Sequence, residues 1–391
     1  MDTVGSGCMS CSIPGMEDAG CIFLFGYNPA DSHPIVARRI VRAKEKGCKI
    51  IVADPRHIET ARIADLYLPI KNGCNVAFLN AFANCLVNDG LYDKEFVAEH
   101  TNGFDEWWET IKNYTPESVQ DITGVDPALI HQAAEMYATA KPSAIIGWGM
   151  GVCQQKQNLK TVHTIASIAC VAGQIGKPNS GLAPVRGQNN VQGSCDMGML
   201  PNLYPGYQKV TDPAVRAKFA KAWGVPEEKL PLEEGYKLTD LGHLVDEGKV
   251  HCFYNYGEDP VQTEPDSAGM RKTLSELDLF ICQDIFMTQT TMLADVILPA
   301  TSWGEHEGVF TASDRSFQHF DAAVPPQRAS AVTTGRSSRT CPRVWDTPCT
   351  TTTPSRSGTS ALACAPTLWA RPTRRWPPRA VTPSGRSRAP M

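Results

Sequence analysis

The 391-residue sequence predicts an α/β protein of two doubly wound domains followed by a disordered tail. Three patterns predict it. Short apolar runs stop abruptly at Gly or Asp, as strands buried on both faces do. Between them apolar residues recur every three to four positions, the spacing of helices that cover a sheet. Beyond residue 327 both periods disappear into Arg, Thr, Pro and Ser, a composition that cannot bury a core.

Residues 21–26 (Cys-Ile-Phe-Leu-Phe-Gly) read as a buried strand ending at a glycine. Residues 33–46 carry Ile35, Ile40 and Val41 at helical spacing, a basic last turn and Gly47 as a stop. Residues 49–54 (Lys-Ile-Ile-Val-Ala-Asp) are a second strand. Such a β-α-β unit makes a parallel sheet, which binds ligands at the carboxyl ends of its strands. Those ends are Gly26-Tyr27-Asn28 and Asp54-Pro55-Arg56. An acid closing the second strand is where Rossmann-like domains hold a ribose or a base; a mutual Asp54–Arg56 salt bridge or a helix cap is the alternative.

Residues 75–89 and 115–140 have helical spacing, and residues 143–148 form a third strand that runs straight into Gly149, Met150 and Gly151. An apolar helix follows at 161–172. Further on, 214–223 and 238–247 are helical, while 251–256, 277–285 and 296–299 are strands. Two of these strands end in acid-bearing turns, Gly257-Glu258-Asp259-Pro260 and Asp284 with Thr288. The repeat marks a second doubly wound domain whose candidate ligand contacts are Gly257, Glu258, Asp259, Thr263, Asp284 and Thr288. The expected boundaries are 1–187, 188–327 and 328–391.

Apolar content of 42% and charged content of 20% are those of a globular protein with real cores. No run of about eighteen apolar residues and no signal segment is visible, which favours a cytoplasmic protein with no membrane span. The 14 cysteines lack a disulfide-framework spacing, so reduced thiols are expected. Cys8 and Cys11 form a lone C-x-x-C with no second pair at metal-ligand spacing, and no residue is assigned to a metal. Net charge is uneven: residues 328–391 hold 11 Arg and one acid, against 26 basic and 40 acidic side chains before them.

The stretch 181–207 stands apart, with five glycines, three prolines and no hydrophobic period. Loops of that length in compact domains are functional or disordered. Its amides Gln188, Asn189, Asn190 and Gln192 surround a single cation, Arg186, which suits a polar ligand; a plain domain crossover is the alternative. The run Pro184-Val-Arg-Gly-Gln-Asn-Asn-Val-Gln-Gly193, then Cys195-Asp-Met-Gly198 and Tyr204-Pro-Gly-Tyr207, closely resembles the catalytic subunits of molybdenum- or tungsten-dependent formate dehydrogenases, members of the molybdopterin oxidoreductase superfamily. Phe25-Gly-Tyr-Asn-Pro-Ala-Asp-Ser-His-Pro34, Gly147-Trp-Gly-Met-Gly151, Gly257-Glu-Asp-Pro260 and Ser302-Trp-Gly-Glu-His-Glu-Gly308 carry the same resemblance, which runs from about residue 5 to about 327.

The resemblance implies a bis(molybdopterin guanine dinucleotide) cofactor with Mo or W. It places Asn28 and Asp31 near one guanosine, with Asp54 and Arg56 as further contacts, and brings the Gly149–Gly151 turn to a pterin with Met150 and Gln154 touching it. Formate oxidation needs a fixed cation for a small carboxylate, and Arg186 matches the family's substrate-positioning arginine; a loop arginine tied to Asp196 is the plain alternative. An arginine suits the role because its planar fork pairs a carboxylate bidentately and does not titrate. His306 between two glutamates looks metal-like, but the family uses no metal there, and a capped turn is expected.

The family's metal ligand, a cysteine or selenocysteine followed by histidine, and the four cysteines of its 4Fe-4S cluster lie upstream of the segment matching Gly5-Ser-Gly7. The sequence is therefore expected to be an internal fragment, with its second domain incomplete and no catalysis alone. The whole enzyme would pass electrons to a partner subunit.

The basic tail has its own expectation. Codons that fit residues 335–348, read one base earlier, spell WEIIQDLSTRMGYP, an amphipathic string resembling the family's next segment. The same shift makes 349–359 and 366–376 resemble two later family segments. A frameshift near Gln327 is expected, in which case the tail is not a nucleic-acid-binding arm. The rival readings are another superfamily member such as a nitrate reductase, and a truncated product that does no redox chemistry.

Overall fold

The computed structural model describes residue 4 and residues 7–326. The expected out-of-frame tail lies outside the described residues. The chain divides into two compact units: Met1–Cys195 with Val309–Phe320, and Asp196–Gly308 with the chain from Asp321 on. The expected boundary at 187/188 falls a few residues before this division, and a return of the chain to the first unit was not foreseen.

The first unit is built on a five-stranded parallel sheet ordered β3-β2-β1-β4-β5. Its strands are β1 (Cys21–Phe25), β2 (Lys49–Ala53), β3 (Leu66–Leu68), β4 (Ala144–Trp148) and β5 (Gly181–Pro184). Helices α1 (Pro29–Ser32) and α2 (Pro34–Glu45) join β1 to β2. After β3 come α3 (Asn75–Asn88), α4 (Lys94–His100), α5 (Phe104–Ile111), α6 (Pro116–Thr123) and α7 (Pro127–Ala138), and after β4 come α8 (Met150–Cys153) and α9 (Asn158–Val171).

The two-residue alternation of β1 sorts its side chains between two cores. Cys21, Phe23 and Phe25 enter the core shared with α3, α7 and α9, whereas Ile22 and Leu24 enter the one shared with α2. Phe23 stacks on Phe82 at 5.3 Å and Phe25 on Phe78 at 5.7 Å between ring centroids. Both faces are therefore covered, which is why these strands read as unbroken apolar runs.

Three differences from the sequence reading have local causes. The helical stretch 115–140 is two helices, because Gly124 ends α6 at φ 74° and Asp126 caps α7 ahead of Pro127. The stretch 181–207 is not wholly irregular: Gly181–Pro184 pairs with β4 as the sheet edge, where Pro184 needs no N–H. Within the same stretch Val191–Asp196 forms α10, opening after Asn190 at φ 57°.

In the second unit, β6 (Leu203–Tyr204) and β7 (Gln208–Lys209) form a small antiparallel ribbon. Helices α11 (Pro213–Trp223) and α12 (Leu241–Asp246) precede a parallel sheet ordered β10-β9-β8, of β8 (Cys252–Tyr256), β9 (Leu279–Asp284) and β10 (Val296–Pro299). Helices α13 (Pro260–Thr263) and α14 (Ser267–Ser275) join β8 to β9, and Leu241, Leu244, Leu274 and Phe280 share their core. The hairpin that follows, β11 (Gly308–Thr311) with β12 (Phe317–Phe320), returns the chain to the first unit. No helix among the described residues is long and apolar enough to cross a membrane.

Candidate functional site

In the first unit the chain leaves β1 toward β2 on one side, and β4 lies on the other. The carboxyl ends of β1 and β4 therefore flank the point where the winding direction reverses, the place where open α/β sheets bind ligands. Here two glycine turns touch through their backbones. Gly26, at φ 56°, would bring a Cβ to 3.1 Å from the Gly151 carbonyl carbon, and a Cβ on Gly151 would stand 2.6 Å from the Gly26 oxygen. A Cβ on Gly149 would meet the Tyr27 ring at 2.8 Å. Each glycine thus permits a contact that a side chain would block. Met150, Gly151 and Gln154 are exposed beside this turn.

Beyond the end of β1, Asn28 Nδ2 donates to Asp31 Oδ2 at 2.6 Å and Thr60 Oγ1 donates to Asn28 Oδ1 at 3.0 Å. Arg56 stands 3.8 Å from Asp31, and Asn28, Asp31, Arg56 and His57 line a polar pocket of about 120 Å³. Asp54 uses one oxygen to accept the Arg56 backbone N–H at 2.9 Å. Burial pushes its carboxyl above the usual range, against the pull of that N–H and of the Arg56 charge. Arg56 thus meets Asp54 through its backbone and Asp31 through its guanidinium, the carboxylate nearer solvent.

The Arg186 loop is tied to the same end of the sheet by a residue that the sequence reading passed over. The His33 ring bonds the Arg186 carbonyl at 2.8 Å and sets its edge against Tyr27. The Arg186 backbone N–H donates to Ser313 Oγ at 3.0 Å, and Asn190 Oδ1 accepts from Thr311 N, so the hairpin braces the loop. The guanidinium donates to Cys195 Sγ at 3.2 Å and to the Gly7 carbonyl at 3.1 Å. Those partners take two of its five N–H donors. Gln188 is exposed next to it.

A second pocket of about 230 Å³ was also missed. It is lined by Gly73 and Asn75 at the start of α3 and by Gln155, Lys156, Gln157 and Thr161 near the start of α9. The signal was the polar run Gln154-Gln-Lys-Gln-Asn158 directly after the glycine turn, which has no helical period to explain it.

In the second unit, β8 and β9 lie side by side, so their carboxyl-end turns are neighbours. Gly257 turns at φ 70° and donates its N–H to the Gln283 carbonyl. Asp259 Oδ1 accepts from Thr290 N at 3.1 Å and from Thr290 Oγ1 at 2.5 Å, which locks the two turns together. Thr263 Oγ1 bonds the Asp259 carbonyl, Asp284 accepts from Phe286 N, and the Thr288 and Thr291 hydroxyls bond each other. Glu258 is exposed. These polar groups organise the turns and leave outer faces in solvent.

Two metal-like patterns have defined surroundings. Cys8 and Cys11 are both buried, and burial pushes the Cys11 thiol up to about 12. Trp303–Glu305 is one 3-10 turn capped reciprocally by Ser302 and Glu305, the arrangement expected for the His306 segment.

The residues present fit a group with nucleotide tails. The glycine contacts let the β1 and β4 turns close on each other at the sheet's carboxyl edge, the Asn28–Arg56 pocket offers both donors and acceptors, and the Tyr27 hydroxyl is buried at this end with no partner among the described residues. The family model for molybdopterin oxidoreductases matches residues 1–330. This chain belongs to the molybdopterin oxidoreductase family. Formate dehydrogenase H of Escherichia coli (strain K12) is 56% identical over 325 residues, covering 83% of this chain and 45% of that protein. The F420-dependent formate dehydrogenase 1 subunit alpha of Methanococcus maripaludis is 45% identical over 320 residues, covering 82% of this chain and 46% of its own. The chain thus spans about half the length of the curated relatives it matches. Acetylene hydratase from Pelobacter acetylenicus shares the fold, with a TM-score of 0.65 at 24% identity over 82% of this chain and 48% of that one.

Proposed function

We propose that this chain is the cofactor- and substrate-binding portion of a formate dehydrogenase catalytic subunit. The observation that carries the reading is Arg186: a half-buried guanidinium with donors to spare, on a loop braced by His33 and Ser313. A bis(molybdopterin guanine dinucleotide) with Mo or W would supply the two-electron acceptor for formate. Gly26, Gly149 and Gly151 let the turns that would face it close on each other, with Met150 and Gln154 exposed at the same turn. Tyr27, Asn28, Asp31, Asp54 and Arg56 serve one nucleotide tail. Gly257, Glu258, Asp259, Thr263, Asp284 and Thr288 serve the other, and Gln188 lies by the substrate cation.

Arg186 holds the formate carboxylate through paired N–H donors, and fixing the guanidinium beforehand removes the entropy of orienting it. The Cys195 sulfur and the Gly7 carbonyl hold it from behind. In the whole enzyme an iron-sulfur cluster would take up the electrons, and the word subunit in a relative's name fits a partner that would receive them.

The test is formate-dependent reduction of a viologen dye by the cofactor-loaded, full-length gene product, with nitrate reduction measured alongside. Activity with formate supports the reading. Turnover of nitrate alone moves the chain to another branch of the family, and a product that retains no pterin is not an enzyme.

A further inference from the structure

Away from the ligand-binding edge, three side chains of metal-ligand type converge. Cys85 Sγ, one Asp89 oxygen and one His131 ring nitrogen all lie within 4.8 Å of one another, the single such group among the described residues. Cys85 and Asp89 are four residues apart near the end of α3, so they share one helical face. His131 comes from α7, and its Nδ1 sits 2.6 Å from Asp89 Oδ2. Glu117, in the first turn of α6, is close enough to act electrostatically on both Cys85 and His131. Three helices thus bring a thiol, a carboxylate and an imidazole together, with the Glu117 carboxylate nearby. That spot lies ten or more residues along α3 from Asn75, about 15–20 Å from the pocket there.

We propose that Cys85, Asp89 and His131 bind a zinc-class divalent cation. A thiolate and an imidazole select a borderline metal over calcium or magnesium. Tetrahedral Zn²⁺ with bonds of about 2.0–2.3 Å sets its ligands roughly 3.3–3.7 Å apart. Reaching that spacing takes small rotations of Asp89 and His131, both of which carry solvent-exposed surface, and exchanges their 2.6 Å bond for bonds to the metal. Thiolate and carboxylate together neutralise the cation, and Glu117 or water completes the tetrahedron. Without a metal, burial and the neighbouring Asp89 and Glu117 charges push the Cys85 thiol up to about 12, so it is protonated. On binding, the S–H bond breaks, a sulfur–metal bond forms and the proton leaves to solvent. The cation would staple α3 to α7 beside α6, at the end of the helical layer far from the glycine turns.

The test uses the purified chain, stripped with a chelator and dialysed against Zn²⁺ or Co²⁺. The wild type is expected to retain one Zn²⁺ more than Cys85→Ser and His131→Gln. Its Co²⁺ form should show a near-ultraviolet thiolate-to-cobalt band that Cys85→Ser abolishes. Cys252→Ser, a thiol in the other unit, should leave both readings unchanged. His131 is half-exposed, so His131→Gln keeps the fold and decides the matter even if Cys85→Ser does not. Equal zinc in wild type and His131→Gln, or a loss in Cys252→Ser as large as in the other two, overturns the proposal.

Discussion

Replacing Gly151 by alanine sets two effects against each other. Gly151 lies in the short helix α8, where alanine has the better propensity by about 1 kcal/mol. Its φ is not positive, so the backbone itself accepts a side chain. The added Cβ, however, would stand 2.6 Å from the Gly26 oxygen, 3.0 Å from its Cα and 3.1 Å from its carbonyl carbon. All three atoms are backbone, and Gly26 is held in place by its N–H bond to the Ala53 carbonyl and by its left-handed φ of 56°. No flexible side chain can give way, so the two turns must separate. Overpacking of this kind costs about 1–3 kcal/mol, and the upper part of that range applies because the obstacle is main chain. The steric term wins, and Gly151→Ala is expected to destabilise the first unit by about 1–2 kcal/mol net of propensity. For a domain of this size that lowers Tm by about 2–8 °C. The assay is thermal unfolding by circular dichroism with Gly304→Ala as control, since a Cβ there meets nothing within 4 Å. Guanine nucleotide released on denaturing the loaded protein gives the functional reading, and should fall in Gly151→Ala alone. A Gly151→Ala protein that melts with the wild type and keeps its nucleotide would refute the view that these turns form a close backbone contact with a binding role.

Other expected outcomes rest on single side chains. Arg186→Lys keeps the charge but loses the planar fork; in the full-length enzyme kcat/KM for formate should fall about 10- to 100-fold, corresponding to about 1.5–3 kcal/mol, with Tm unchanged. Tyr27→Phe removes a buried hydroxyl without a partner among the described residues, so the cofactor-free chain should be about 1 kcal/mol more stable in urea titration. The sign should reverse in the loaded protein if the hydroxyl meets the cofactor. Asp65 accepts from Ile50 N at 2.9 Å and pairs with Lys44 at 2.8 Å. Burial alone would raise its carboxyl, but the Lys44 ammonium and the Ile50 N–H outweigh that, and the folded value lies below 3.8. A depressed value stabilises the fold above the unfolded value and is lost as pH falls through the folded one. Asp65→Asn should therefore cost about 1 kcal/mol at pH 7, with the difference from wild type closing below pH 3.8 in acid titrations.

The strands at 21–26, 49–54 and 143–148 were legible because a parallel strand buried on both faces is apolar at every position, a signal that needs no knowledge of neighbours; 296–299 was legible from its apolar run alone, although Val296 and Ile297 are exposed. For the same reason the candidate ligand contacts at strand ends could be named, since a turn directly after such a run must lie at the sheet's carboxyl edge. The two edge strands of the first unit's sheet were not legible. Leu66–Leu68 is only three residues long, and Gly181–Pro184 has neither β-branched residues nor alternation; each is a strand because a neighbour's backbone is there to pair with.

Sequence alone thus determined the strand-turn units, the α/β class with parallel sheets and, through the Arg186 run, the family. Only the tertiary structure decided the sheet order, the Gly26–Gly151 contact, the His33 bond to the Arg186 loop and the meeting of Cys85, Asp89 and His131. Local patterns report how each element is solvated, because one face or both must leave water. They carry no record of which residue 40 or 150 positions away will occupy the other side of a contact, and that choice is made by packing.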